Sequence, residues 1–224
     1  MGKRAKVRWC VFLLLWIAFT SCHVLYVPNS FNSPLLRNRG DGQVNLAAGA
    51  AGYEVQVAYA ITDKIGVIAN GQSLKSTKKD TITEHRTLYE LGFGYTEKYS
   101  DNGIFEIYGG GGIGNVPADF KDSYYDGTQT TQIKRFFVQP GIGFFNDWLD
   151  LSVVSRFSAA NIGNETNFFF EPGVSFKMGY KRIRFCSSVG LSFPFKPSRY
   201  RNWDYNPVIF SVGIHLNFGK RLDD

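Results

Sequence analysis

Nine ionisable residues recur at strand-like intervals along the chain: Glu54, Glu90, Glu106, Arg135, Asp150, Arg156, Glu171, Lys177 and Arg184. Five acids and four bases of this kind can serve two ends. Enclosed together, they neutralise one another, because a charge taken out of water needs a partner. Lining an open bore, they would select ions instead. The three histidines, His23, His85 and His215, raise a different chemistry. His85 could meet Ser73 or Ser76 with Glu84 as the acid, the groups that acyl transfer requires, whereas His215 has only Asn217 close by in sequence. No signature motif joins these residues and nothing fixes their geometry, so no catalytic residue is expected. The run "GGGGIG" (109–114) could cradle a phosphate only if Lys-Ser/Thr followed and a helix opened there. Neither condition is met, and the glycines read as part of a strand, where they allow close packing or a bend. No CxxC or Cys/His cluster points to a metal, and no cofactor is expected.

The elements that would position these groups are strands. From residue 43 onward, stretches of about ten residues alternate apolar and polar, the period of a β-strand. One set of positions is free of charge throughout. It includes Tyr53-Val55-Val57-Tyr59-Ile61, Thr87-Tyr89-Leu91-Phe93-Tyr95, and, near the end, Val208-Phe210-Val212-Ile214-Leu216-Phe218. The interleaved set carries all nine charges and is otherwise rich in Gly, Ser, Gln and Asn; Ile209 is its apolar exception in the last strand. A soluble barrel would place its bulky apolar residues inside. Here the small polar set suits a cramped interior, and the large rings suit a wide outer surface. Lys or Arg facing lipid at midplane costs about 2–4 kcal/mol, which accounts for the charge-free set.

The expected fold is therefore all-β: a single closed antiparallel up-and-down transmembrane barrel of about ten strands, with eight as the alternative. Connections at 62–64, 97–102, 145–148 and 179–182 read as short, those at 74–85, 114–131 and 194–206 as long, and 159–166 as intermediate. The break at "GAAGY" (49–53) decides whether the strand count is even. An even count leaves the barrel's two termini on one side, the side of the short turns. Tyr59, Tyr95, Tyr99, Trp148, Tyr180 and Phe218 fall at that interface, and Tyr53, Tyr89, Phe157, Phe168 and Phe193 at the other. Pro140 and Pro172, in the similar stretches "RFFVQPGIGF" (135–144) and "NFFFEPGVSF" (167–176), each remove a ladder donor. Their presence inside strands predicts bulges beside Gly141 and Gly173.

The amino-terminal region is different in kind. "MGKRAKVR" is basic, "WCVFLLLWIAF" (9–19) is apolar but too short to span a bilayer, and "TSC" (20–22) ends in small residues. Residues 1–21 read as a signal peptide of lipoprotein type, with Cys22 as the acylated first residue. They carry four of the 25 basic residues and none of the 19 acidic ones, leaving 21 against 19, which gives a nucleic-acid partner no support. Cys10 departs with the signal, so Cys186 stands alone and no internal disulfide is expected. Residues 22–42 lack any period and carry Pro28 and Pro34; they read as an extended periplasmic linker. Whether this segment hangs free or enters the lumen is open from sequence. The barrel spans 43–219, and 220–224 form a short tail.

Taken together, the alternating strands and the terminal "IFSVGIHLNF" resemble small outer-membrane β-barrel proteins of Gram-negative bacteria, and "YVPNSFNSPLLRNRGDGQ" (26–43) is similar to the segment preceding the barrel in lipidated members. The tail "GKRLDD" departs from members that stop at the aromatic. The resemblance implies that Phe218 is read by the barrel-insertion machinery, that the protein lies in the outer membrane, and that its lipids and lipopolysaccharide are partners. Tyr124, Tyr125, Arg199, Arg201 and Trp203, in the two longest connections, could engage lipid phosphates or a glycan on an unidentified external partner. A structural or surface-interaction role with an ion-paired lumen is the expectation; a narrow small-solute channel and, less favoured, a lipid-modifying enzyme are the alternatives.

Overall fold

The structure, a computed structural model, describes residues 25–78, 82–117, 130–163, 165–180, 182–195 and 205–219. All of its regular elements are strands: β1 (Gly42–Gly49), β2 (Gly52–Ala60), β3 (Ile65–Lys78), β4 (Ile82–Ser100), β5 (Gly103–Pro117), β6 (Thr130–Phe145), β7 (Leu149–Ile162), β8 (Glu165–Tyr180), β9 (Ile183–Leu191), β10 (Phe193–Pro194) and β11 (Val208–Phe218). Each pairs antiparallel with its neighbours, and β1 pairs with β11 from Gly42↔Phe218 to Gly49↔Ser211, closing the sheet. The two-residue β10 continues β9 on the same partner, so the wall has ten strands. The turn at 50–51, with Gly52 in the left-handed region (φ 85°), separates β1 from β2 and makes the count even.

Two expectations about connections are corrected. Residues 74–85 are not a long loop: β3 and β4 stay paired out to Lys78↔Ile82. Likewise β7 and β8 pair out to Ile162↔Glu165, leaving a two-residue turn where an intermediate loop was expected. In both places the outer face turns polar, with Lys75 and His85 on one hairpin and Asn161 and Thr166 on the other, so apolar alternation fades while hydrogen bonding continues. The rim carrying Gly42 and Phe218 is closed by the short links 61–64, 101–102, 146–148 and 181–182. The opposite rim carries the two long links, 118–129 and 195–207, and is called the loop rim below.

No bulge accompanies the prolines. The β6–β7 register is unchanged on either side of Pro140 (Val138↔Phe157, Gly141↔Val154), with the ladder simply interrupted between them. The β8 ladder is interrupted in the same way next to Pro172, resuming at Phe170↔Phe193 without slippage. A missing donor removes rungs locally; it does not by itself insert a residue. "GGGGIG" lies within β5, as a strand reading requires. A Cβ on Gly110, Gly112 or Gly114 would come within 1.9–2.2 Å of a β4 carbonyl, so these glycines let the two backbones close together.

Every large residue of the charge-free set faces outward. Tyr53 is 78% exposed and Leu91 and Phe93 72% each, and the aromatics of both expected interfaces are exposed. Inside lie the polar and charged side chains, with something the strands do not supply: residues 25–36, an extended arm with no regular structure, are buried along their whole length.

Candidate functional site: the filled lumen

The arm runs the height of the barrel. At the loop rim Tyr26 bridges to Tyr205, and its carbonyl accepts from the Asn206 N–H (2.9 Å). Leu25 and Tyr26 pack with Leu88, Val116, Ile133, Ile162 and Phe169 at that end. At the opposite end Arg37 pairs with Asp150 (3.3 Å) and lies over the Phe145 ring, and Gly40 bonds to Ala60. The chain then turns at Asp41 and enters β1.

An extended segment makes no hydrogen bonds of its own, so each buried arm amide and carbonyl needs a partner from the wall. The inward charges supply many of them. Glu54 accepts from the Ser30 N–H (2.9 Å) and from its hydroxyl; Glu106 accepts from the Leu35 N–H (3.0 Å) and the Ser33 hydroxyl. Lys177 donates to Ser33 O (2.8 Å) and Gln43 Oε1 (3.0 Å), and Arg156 to Asn29 O (2.8 Å). Gln139 and Gln72 donate to Asn32 O and Val27 O.

The densest group surrounds Asn29. Its amide donates to Glu90 (2.8 Å), and its Oδ1 accepts from both Arg135 (2.7 Å) and Arg156 (3.1 Å). Arg135 lies 2.7 Å from Glu90, and Arg156 lies 2.6 Å from Glu171. The Tyr26 hydroxyl donates to Glu171 (3.0 Å) and accepts from Arg135 (3.1 Å), joining the two ion pairs. Buried ion pairs hold only when their remaining lone pairs and protons are satisfied, and two arm side chains do that here.

Below Asn29 the arm is seated by shape. Phe31 fills the space that a Cβ at Gly173 or Gly190 would occupy, approaching to 2.2 and 2.7 Å. Leu35 fills the space beside Gly143 (2.3 Å), and Leu36 that beside Gly66 (2.7 Å). Ile209, the apolar residue of an otherwise polar inward row, packs with Phe31 and Val154. Leu35 itself has a positive φ of 51°, a conformation unfavourable for a branched residue and imposed by its surroundings.

All nine sequence-marked charges are therefore buried in the lumen. Arg135–Glu90, Arg156–Glu171 and Arg184–Asp150 (2.9 Å) pair across the wall, while Glu54, Glu106 and Lys177 meet the arm directly. What sequence reasoning missed is the arm's own part: Tyr26, Asn29, Ser30, Asn32 and Ser33. A signal for it exists in the doubled Asn-Ser of "PNSFNSP" (28–34), polar pairs three residues apart bracketed by prolines.

Of the remaining candidates, Ser73 and His85 do come together: the hydroxyl is 3.1 Å from the imidazole Nε2, on an exposed part of the β3–β4 hairpin. Glu84 is in register with Ser76, one residue out of step with that pair. His215 is buried between Asn45 and Asn217. Phe218 ends β11 beside Gly42, and Cys186 is buried as a free thiol. Cys22, His23, Tyr124, Tyr125, Arg199, Arg201 and Trp203 lie outside the described residues. Among the described residues no cluster of His, Cys, Asp and Glu could hold a metal.

Fold and site together define a closed ten-stranded antiparallel barrel whose lumen is filled by the chain's own amino-terminal arm. No protein-family model matches the chain, and no curated protein matches it.

Proposed function

We propose that this is an outer-membrane barrel, acylated at Cys22, that serves a structural or surface-contact role rather than conducting solutes. One observation carries the reading: the lumen of a barrel with an apolar outer face is occupied by an arm that the inward charges grip at both its backbone and its side chains. Charges committed to an internal segment are not available to line a path for ions. The two long links at the loop rim, 118–129 and 195–207, with Tyr124, Tyr125, Arg199, Arg201 and Trp203, would meet lipopolysaccharide or an external partner. Phe218 would be recognised by the insertion machinery during assembly.

Planar-bilayer recording tests the closed lumen. The purified protein is expected to give no steady current; a steady current that vanishes on neutralising Glu106 or Arg156 would replace this reading with the narrow channel. Acylation predicts palmitate labelling that Cys22→Ser abolishes, and continued labelling of that variant would remove the anchor. The Ser73–His85 contact gives the lipid-modifying reading its one support. That reading requires an acyl-modifying activity that His85→Ala eliminates.

A further inference from the structure

We infer that the amino-terminal end of the mature chain emerges on the loop side of the barrel, opposite the end of β11, so that acyl chains on Cys22 enter the outer leaflet. This rests on the membrane and acylation reading above, but the polarity of the arm stands on geometry alone.

Ten strands bring Gly42 and Phe218 to the same rim, in register with each other. The arm adds an eleventh passage through the same wall height, and an odd number of passages puts the two ends of the chain on opposite sides. Its contacts order it by depth. Arg37 meets Asp150, the second residue of β7, at the terminal rim. Asn32 bonds Asn70 (2.8 Å) in mid-strand, and Tyr26 receives the Asn206 N–H just ahead of β11 at the loop rim.

Leu25 follows Cys22 by only three positions, a reach of about 11 Å when fully extended. A ten-residue strand is about 33 Å long. Tilted by about 45°, it sets the rims roughly 23 Å apart. The direct way back is filled, since Tyr26, Phe31 and Leu35 are each only 1% exposed. The reach from Leu25 therefore assigns Cys22 to the loop side by this inference; there Tyr53, Tyr89 and Phe168 ring the outside of the wall. A lipid on a periplasmic linker would be held in the inner leaflet; this arm delivers it to the other one.

The test uses single cysteines in the full-length chain carrying Cys186→Ser. His23→Cys reports the arm's exit, Gln132→Cys the loop rim and Asp101→Cys the terminal rim; the last two positions are exposed. On intact cells a membrane-impermeant maleimide is expected to label His23→Cys and Gln132→Cys, and Asp101→Cys only after lysis. Labelling of His23→Cys that follows Asp101→Cys overturns the inference. If Gln132→Cys and Asp101→Cys label alike, the outer-membrane reading has failed, and the polarity is then read in detergent. There, paired spin labels should place His23 closer to Gln132 than to Asp101. The reverse order of distances overturns the inference whatever the location of the protein.

Discussion

Between Leu25 and Ser30 the arm is held chiefly by charge; between Phe31 and Leu36, where Glu106 and Lys177 still hold Ser33 and Leu35, it is also seated in notches. In the first stretch Tyr26 and Asn29 complete two buried ion pairs, so the wall and the arm each leave the other unsatisfied if removed. In the second, Phe31, Leu35 and Leu36 occupy volume that wall glycines leave empty. The contrast teaches that one segment is fixed by two different means, which overlap in its second half. Hydrogen-bonded charge is intolerant of a missing partner, whereas packing is intolerant of added volume.

Removing the arm altogether should have the largest effect. Deleting residues 25–36 takes hydrogen-bond donors from Glu54 and Glu106 and volume from the lumen, and should produce a steady bilayer current absent from the intact protein. Breaking one gripped charge comes next. Arg156→Ala leaves Glu171 buried without its ion-pair partner and should destabilise the barrel by about 3–5 kcal/mol, read by denaturant unfolding in detergent. Adding volume in the notched half should cost less: about 1–3 kcal/mol for Gly173→Ala, part of which Phe31→Ala in the same chain should restore. If Gly173→Ala proved as severe as Arg156→Ala, the two halves would not differ in the way described.

The smallest effect belongs outside the lumen. Lys64 and Glu97 form an exposed ion pair (2.8 Å), and Lys64→Ala should leave the unfolding midpoint unchanged. The hydrogen bond that Lys64 donates to the Glu97 carboxylate lifts its ammonium above its ordinary pKa. Whatever stability the pair adds is present below the ordinary lysine range and lost as pH rises through the lifted value. Solvent screening should make that loss undetectable.

Much of the wall was legible because the outward face keeps one rule at every second residue: it is apolar and free of charge. The charge-free set marked the strands, the break before Tyr53 gave an even count, and all nine charges fell inside. The rule stops where the outward face ceases to be apolar. Beyond Ser73, Lys75 and His85 are the exposed residues among those described, and the pairing that continues to Lys78↔Ile82 leaves no apolar alternation in the sequence. It says nothing of the arm either, which is neither a strand nor part of the outward face. Its insertion depends on matches between distant residues, Phe31 with Gly173 or Ser33 with Glu106, that one sequence does not display. The prolines misled for a related reason: a bulge and a skipped rung are equally good ways to lose a donor, and only the register distinguishes them.

The β1–β11 seam has a consequence for timing. Its eight paired positions, Gly42–Gly49 against Ser211–Phe218, join the first strand made to the last. Since the arm directly precedes β1, it is synthesised before any part of the ring exists, yet it is enclosed only when the final strand docks. Afterwards it can escape only by sliding lengthwise out of its notches or by parting that seam. Its retention is then governed by an opening rate as much as by the strength of its contacts.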